Sequence, residues 1–290
     1  MSVDILQEKI RKLKNPSVVE ICALPDLIPP HISRETKREG VALARFYQEL
    51  LEGLKGLVPA VRFNFGSFAL FGWEGLAAFR DLAKFASNEG YYVIVDAPEL
   101  LSVKMAELTA EKFLGQEAAY PCDALVISGY AGSDIIKPFL PYCREGKKDI
   151  FVVARTANKS ASELQDLLAG GRLVHAVAAD HVNRYGADTA GKFGYTRVGI
   201  LAAASAADSL RSLRTKYPRL FMLLDGADYP NANAKNCSNA FDKFGHGAAA
   251  CFAAAGAWQQ SESDGTDFVA QAVSAAERMK KNLVRYTNVL

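Results

Sequence analysis

Short runs of apolar and β-branched residues recur along the chain, separated by longer stretches whose apolar positions fall at helical spacing. The runs are Val18–Cys22, Val58–Phe65, Tyr91–Asp96, Ala124–Ser128, Ile150–Arg155, Thr196–Leu201, Leu220–Leu224 and Gly247–Phe252. Each has the length and residue type of a buried strand. Between them, sets such as Val41, Ala44, Tyr47, Leu51 and Leu54, or Val269, Ala272, Ala276, Met279 and Leu283, predict surface helices with one buried stripe. Strand and helix alternating throughout imply a parallel sheet, and eight repeats close it into a barrel. The predicted class is α/β, a (β/α)8 TIM barrel. It forms a single domain over residues 1–290, with the barrel core at about 14–258 and a C-terminal helix at 264–286. A doubly wound open sheet is the competing architecture, but no GxGxxG turn follows an early strand and no Pro-, Gly- or Ser-rich boundary divides the chain. Residues Asp225–Asn236 read as a loop after the seventh strand, on the face where barrels carry function.

Charge narrows the partners. Thirty-four Lys+Arg against 32 Asp+Glu leave +2, so neither nucleic acid nor a membrane surface is expected to be held by bulk charge, and an anionic ligand must be gripped locally. The five cysteines, Cys22, Cys122, Cys143, Cys237 and Cys251, are scattered and contain no CxxC pair. Neither a disulfide framework nor a zinc site is indicated, and a reducing cytoplasm is the expected home. The N-terminal MSVDILQEKIRKLKN is charged and amphipathic rather than signal-like, and no apolar run approaches the roughly 20 residues of a bilayer span. His31, His175, His181 and His246 form no HxxxH pair; His175 and His181 fall in predicted helices as surface or packing residues.

Barrel chemistry lies at the C-terminal ends of the strands, which selects Glu20, Cys22, Arg62, Asn64, Asp96, Ser128, Tyr130, Arg155, Thr156, Asn158, Asp225 and Cys251. For any one of them alone, a solvated or helix-capping role is the simpler reading. The segments around them carry a pattern in order: NPSVV at 15–19, GWEG at 72–75, DALVISGYAGSDIIKPFL at 123–140, FVVARTANKSASELQDL at 151–167, GYTRVGI at 194–200 and FDKFGHGA at 241–248. Over most of residues 14–258 this series resembles the orotidine 5′-phosphate decarboxylase family, in its longer bacterial (type 2) form.

The resemblance implies a dimeric carboxy-lyase of pyrimidine biosynthesis that converts orotidine monophosphate (OMP) to uridine monophosphate (UMP) without metal or organic cofactor. It also implies an array in which one Lys ends the second strand and a D-x-K-x-x-D motif ends the third, the last Asp serving the neighbouring subunit. Lysine suits that array because a compact ammonium can stabilise a developing carbanion and deliver a proton. In this chain Asp96 stands where the first Asp would, Pro98 where the Lys would and Leu101 where the second Asp would, while the family's Lys-Pro-Gln becomes Arg62-Phe63-Asn64. Proline has no proton to give, and a guanidinium with a pKa above about 12 is a poor donor. Lys104, expected one to two turns into the next helix, is not placed to replace the missing lysine. Further departures follow. The family's Gly-Leu-Asp-Pro becomes Glu20-Ile21-Cys22-Ala23, and its Gly-Ala-Gln-Gly-Gly phosphate loop becomes Gly226-Ala227-Asp228-Tyr229-Pro230-Asn231, with Asp228 of the wrong sign. The phosphate-gripping Arg is missing from AAACFAAAGAW at 248–258, whose Cys251, Phe252 and alanines read as small barrel-lining residues.

The expected site keeps Asp96 and Arg62 as catalytic remnants, with Arg62 able to pair with Asp96. Asn64, Tyr130, Arg155, Thr156, Asn158, Asp225 and Asp228 are the expected ligand-binding residues. Arg155 either meets a planar ligand or pairs with Asp96 or Asp225. Three functions stay open. One is a degenerate paralogue that keeps barrel and dimer and binds a small ligand such as a pyrimidine nucleotide. A second is an active decarboxylase with a rearranged site. The third is different chemistry using Glu20, Cys22, Asp96 or Asp228, in which Cys22 is the nucleophile if a cation lowers its pKa.

Overall fold

Eight parallel strands close on themselves in a computed structural model that describes residues 3–97, 100–261 and 264–288. In chain order they are β1 (Ser17–Ile21), β2 (Ala60–Asn64), β3 (Tyr92–Asp96), β4 (Ala124–Ser128), β5 (Asp149–Val153), β6 (Thr196–Ala203), β7 (Leu220–Asp225) and β8 (Ala248–Ala253). Each pairs with the next, and β8 pairs with β1, Val18 standing beside Cys251. The (β/α)8 expectation is met, and the strands fall within a few residues of the predicted runs.

Alternation along each strand sorts side chains into two cores. Val18, Ala60, Tyr92, Ile94, Val126, Phe151, Phe221, Leu223 and Cys251 point inward and pack together. Val19, Ile21, Val61, Phe63, Val93, Val95 and Phe252 point outward against the helices. Phe252 is therefore not a barrel-lining residue: it is one position out of phase with Cys251, and a one-residue step along a strand changes face.

The N-terminal amphipathic segment forms α1 (Val3–Leu13), whose Val3, Leu6 and Ile10 join the inner core and close the bottom of the barrel. Gln7 on the same stripe accepts the Gly247 N–H at 2.9 Å. In α2 (Glu39–Leu54) the buried stripe is Ala42, Leu43, Phe46, Tyr47, Leu50, Leu51 and Leu54. Val41, predicted to lie in that stripe, is 45% exposed. Phe46 and Leu43 carry more apolar area than Val41 and Ala44, so their burial sets the rotation of the helix. The C-terminal helix, α3, spans Phe268–Val284 and is shorter than predicted because a turn through Gly265, at φ +87°, precedes it. Among the described residues no helix is long and apolar enough to cross a membrane.

Candidate functional site

Strand register assembles the mouth. Glu20 on β1 stands beside Arg62 on β2, and Asn64 beside Asp96 on β3. Asp225 ends β7 on the other side of the barrel. The Arg62 guanidinium reaches all three carboxylates: Nε donates to Asp96 Oδ1 at 2.7 Å, and Nη1 donates to Glu20 Oε1 at 2.9 Å and to Asp225 Oδ1 at 2.6 Å. Its side chain is 10% exposed, whereas those of the carboxylates are 20–25% exposed, so the cation lies deeper than the anions that surround it. The planar fork of an arginine allows one cation to hold three anions, which a lysine's point charge does less well.

One positive charge does not neutralise three negative ones in a dry setting. Burial pushes Glu20 up to about 7, overriding the pull of Arg62, with Asp225 and Asp96 adding to the rise. Asp96 moves up for the same leading reason, against Arg62 and a hydrogen bond from Asn64. Burial works against the charge on Arg62, but Asp96, Asp225 and Glu20 more than offset it and hold the guanidinium well above its usual pKa. Glu20 is thus the carboxyl in the mouth most able to exchange a proton near neutrality.

The remaining predicted residues divide between the mouth and its walls. Asn64 caps a short helix, Phe65–Ala69, by accepting the Ser67 N–H at 2.8 Å. Ser67 in turn accepts the Ala23 N–H at 2.8 Å and bonds to the Cys22 thiol, tying β1 to β2. Cys22 does not meet the condition for a nucleophile: burial raises its pKa, with Glu20 and Asp96 adding to the rise, against the weaker pull of Arg62. Asp228 accepts the Ala253 N–H at the end of β8 at 2.9 Å. Tyr130 donates to Ala154 O at 2.5 Å and so fastens the turn after β4 to the end of β5.

Arg155 pairs with neither Asp96 nor Asp225. It forms a two-pronged bond with Asp166, 2.9 and 2.8 Å, within its own loop. Asp166 also lies 3.2 Å from the buried His175 ring, which contacts Gln165 O at 2.9 Å. Thr156 bonds to Asn158 and donates its N–H to Gln165 Oε1 at 2.8 Å. Arg155, Thr156 and Asn158 therefore belong to a loop network separate from the Arg62 cluster. Gln165 and Asp166, absent from the sequence-derived candidates, complete it; ten residues of irregular chain separate Arg155 from its partner, and no periodic signal spans that distance. Lys104 sits in the first turn of Val103–Leu114, nearer the helix start than predicted, 75% exposed and bonded to Glu107 at 3.1 Å. Leu101 is 84% exposed. Pro98 lies outside the described residues.

No protein-family model matches the chain. The curated orotidine 5′-phosphate decarboxylase of Clostridium perfringens (strain 13) is 25% identical over 248 residues, covering 85% of each chain. That of Rhodopirellula baltica is 28% identical over 220 residues, covering 74% of this chain and 73% of its own. The solved structure of Leishmania donovani OMP decarboxylase superimposes with a TM-score of 0.73 over 98% of this chain and 100% of that one, at 23% identity. The chain is thus similar over most of its length to orotidine 5′-phosphate decarboxylases and shares their fold. At the positions where the resemblance to those decarboxylases implies lysine and aspartate, this chain presents Arg62, Asp96 and the exposed Leu101, and its central cation is bound to carboxylates of its own barrel.

Proposed function

We propose that the chain is a catalytically impaired paralogue within this family, binding a small nucleotide-like ligand at the barrel mouth. The observation that carries this reading is the state of Arg62. Decarboxylation leaves a carbanion that must be protonated, and an effective proton donor has a pKa near the working pH. Arg62 is held far above that range, and its Nε and Nη1 donors are committed to Asp96, Glu20 and Asp225. Three carboxylates converge on this one cation, and their charge opposes a trianionic substrate entering the mouth. Purified protein given OMP is expected to form UMP at least about 10⁴-fold more slowly than an active relative, the loss of a general acid accounting for about 10²–10⁴ and the lost electrostatic array for the rest. UMP formation at the relative's rate overturns the proposal.

The free state of all five cysteines supports a reducing, cytoplasmic setting. A homodimer is part of the same reading. Leu70, Trp73 and Leu101, in the segments after β2 and β3, are 82%, 72% and 84% exposed, an apolar rim that a second copy would cover. Sedimentation at micromolar concentration should give twice the chain mass; a monomer sinks this part.

A further inference from the structure

Barrels of this kind commonly seat a phosphate between the loops that follow the seventh and eighth strands, where backbone N–H groups face the ligand. Here that seam is closed from within. The chain leaving β7 turns at Gly226, φ +67°, and Ala227 donates its N–H to Cys251 O at 2.9 Å, laying the loop along β8. At the next residue the Asp228 carboxylate takes the N–H of Ala253 at 2.9 Å. A backbone donor that an incoming anion would use is therefore already holding an anion. No arginine occurs between Arg219 and Arg278 to supply a replacement grip, and the Nε and Nη1 donors of Arg62 are already taken by Asp96, Glu20 and Asp225. Four carboxylates against one guanidinium give the mouth a field that repels phosphate.

We propose that Asp228 is the specificity-determining residue of the mouth, an internal carboxylate in place of the ligand's phosphate, so that the site takes the nucleoside or free base and rejects the nucleotide. This rests on the reading of the mouth as a ligand site and narrows "nucleotide-like" to the class without phosphate. Selection comes from both exclusion and occupation: a dianion meets repulsion from Asp228 and finds the Ala253 N–H taken, whereas a sugar hydroxyl can accept or donate beside a carboxylate at no such cost.

The test is calorimetric titration of the full chain and of Asp228→Ala with uridine, UMP and inorganic phosphate. Uridine is expected to bind both proteins within threefold of each other, and UMP is expected to bind Asp228→Ala at least tenfold more tightly than the wild type. Asp228→Asn, which removes the charge but keeps an acceptor for Ala253, should gain a smaller part of that increase, and it serves if the alanine variant does not fold. Equal UMP affinity in wild type and variants overturns the inference, as does failure of all three probes to bind either protein. The outcome separates from that of the preceding proposal. UMP binding by the wild type with no CO₂ released from OMP sinks this inference alone, and CO₂ released from orotidine, which has no phosphate, sinks the impairment alone.

Discussion

Replacing Arg62 with methionine is expected to destabilise the protein by about 3–5 kcal/mol at pH 8, the cost of leaving buried charges without their partner. The size of the effect follows from the geometry. Asp96, Glu20 and Asp225 all lie within 2.9 Å of guanidinium nitrogens, and removing the cation leaves three partly buried carboxylates converging on an apolar side chain. At pH 8 the uncompensated carboxylates repel one another. At pH 5 Glu20 and Asp96 can take up protons, because burial already displaces both upward, so the penalty should shrink to about 1–2 kcal/mol. Arg62→Lys should fall between, since an ammonium restores the charge but not the fork that reaches three acceptors. Urea unfolding midpoints of wild type and both variants at the two pH values measure this. A methionine variant that loses under 1 kcal/mol at pH 8, or loses the same amount at both pH values, would show that the cluster is not held by Arg62.

That pair of Arg62 and Asp96 was legible in the sequence because both residues end adjacent strands, and parallel register brings adjacent strand ends together. Asp225 as a third partner was not. It lies 163 residues from Arg62 and meets it across the barrel interior, a contact that depends on closure and strand tilt. The barrel itself was readable from eight short apolar runs, since burial on both faces leaves that pattern uninterrupted. Short-range geometry was harder. Asn64 is expected at a ligand, and in the fold its side chain caps the Phe65–Ala69 helix, a role for which Asn is among the preferred residue types. The antiparallel ribbon formed by Leu168–Ala169 and Arg172–Leu173 is too short to leave a periodic pattern, and its signal is Gly170 and Gly171, both at positive φ, the residues a tight two-residue hairpin requires. The Arg155–Asp166 pair depends on how that irregular segment folds back, and charge alone offered Arg155 several equally plausible partners.

Stability is expected to fall by a few kcal/mol between pH 4.5 and pH 8, opposite to the behaviour of a protein held by exposed ion pairs. The sign comes from carboxyls whose pKa is raised in the fold. Asp149, fully buried at the bottom of the barrel, is pushed up to about 7 by burial despite hydrogen bonds from the Tyr92 hydroxyl and the Val3 N–H. Glu20 reaches about 7 at the other end, and burial also raises Asp96, Asp123 and Asp228. Between an unfolded value near 4 and a folded value near 7, the folded state holds protons that the unfolded chain releases. The stabilisation is therefore complete below pH 4 and is lost as pH rises through 7. Asp166, Glu35 and Asp264, lowered chiefly by their bonds to Arg155, Arg45 and Thr266, work the other way, but they are more exposed groups. Denaturant midpoints measured at half-unit steps of pH should decline across this window, and Glu20→Gln, which keeps an acceptor for Arg62 while removing one titration, should flatten the decline and stabilise the protein at pH 8. A midpoint that rises from pH 5 to pH 8 would mean that the buried carboxyls are ionised throughout, and that Arg62 and the Tyr92 hydroxyl compensate their burial in full.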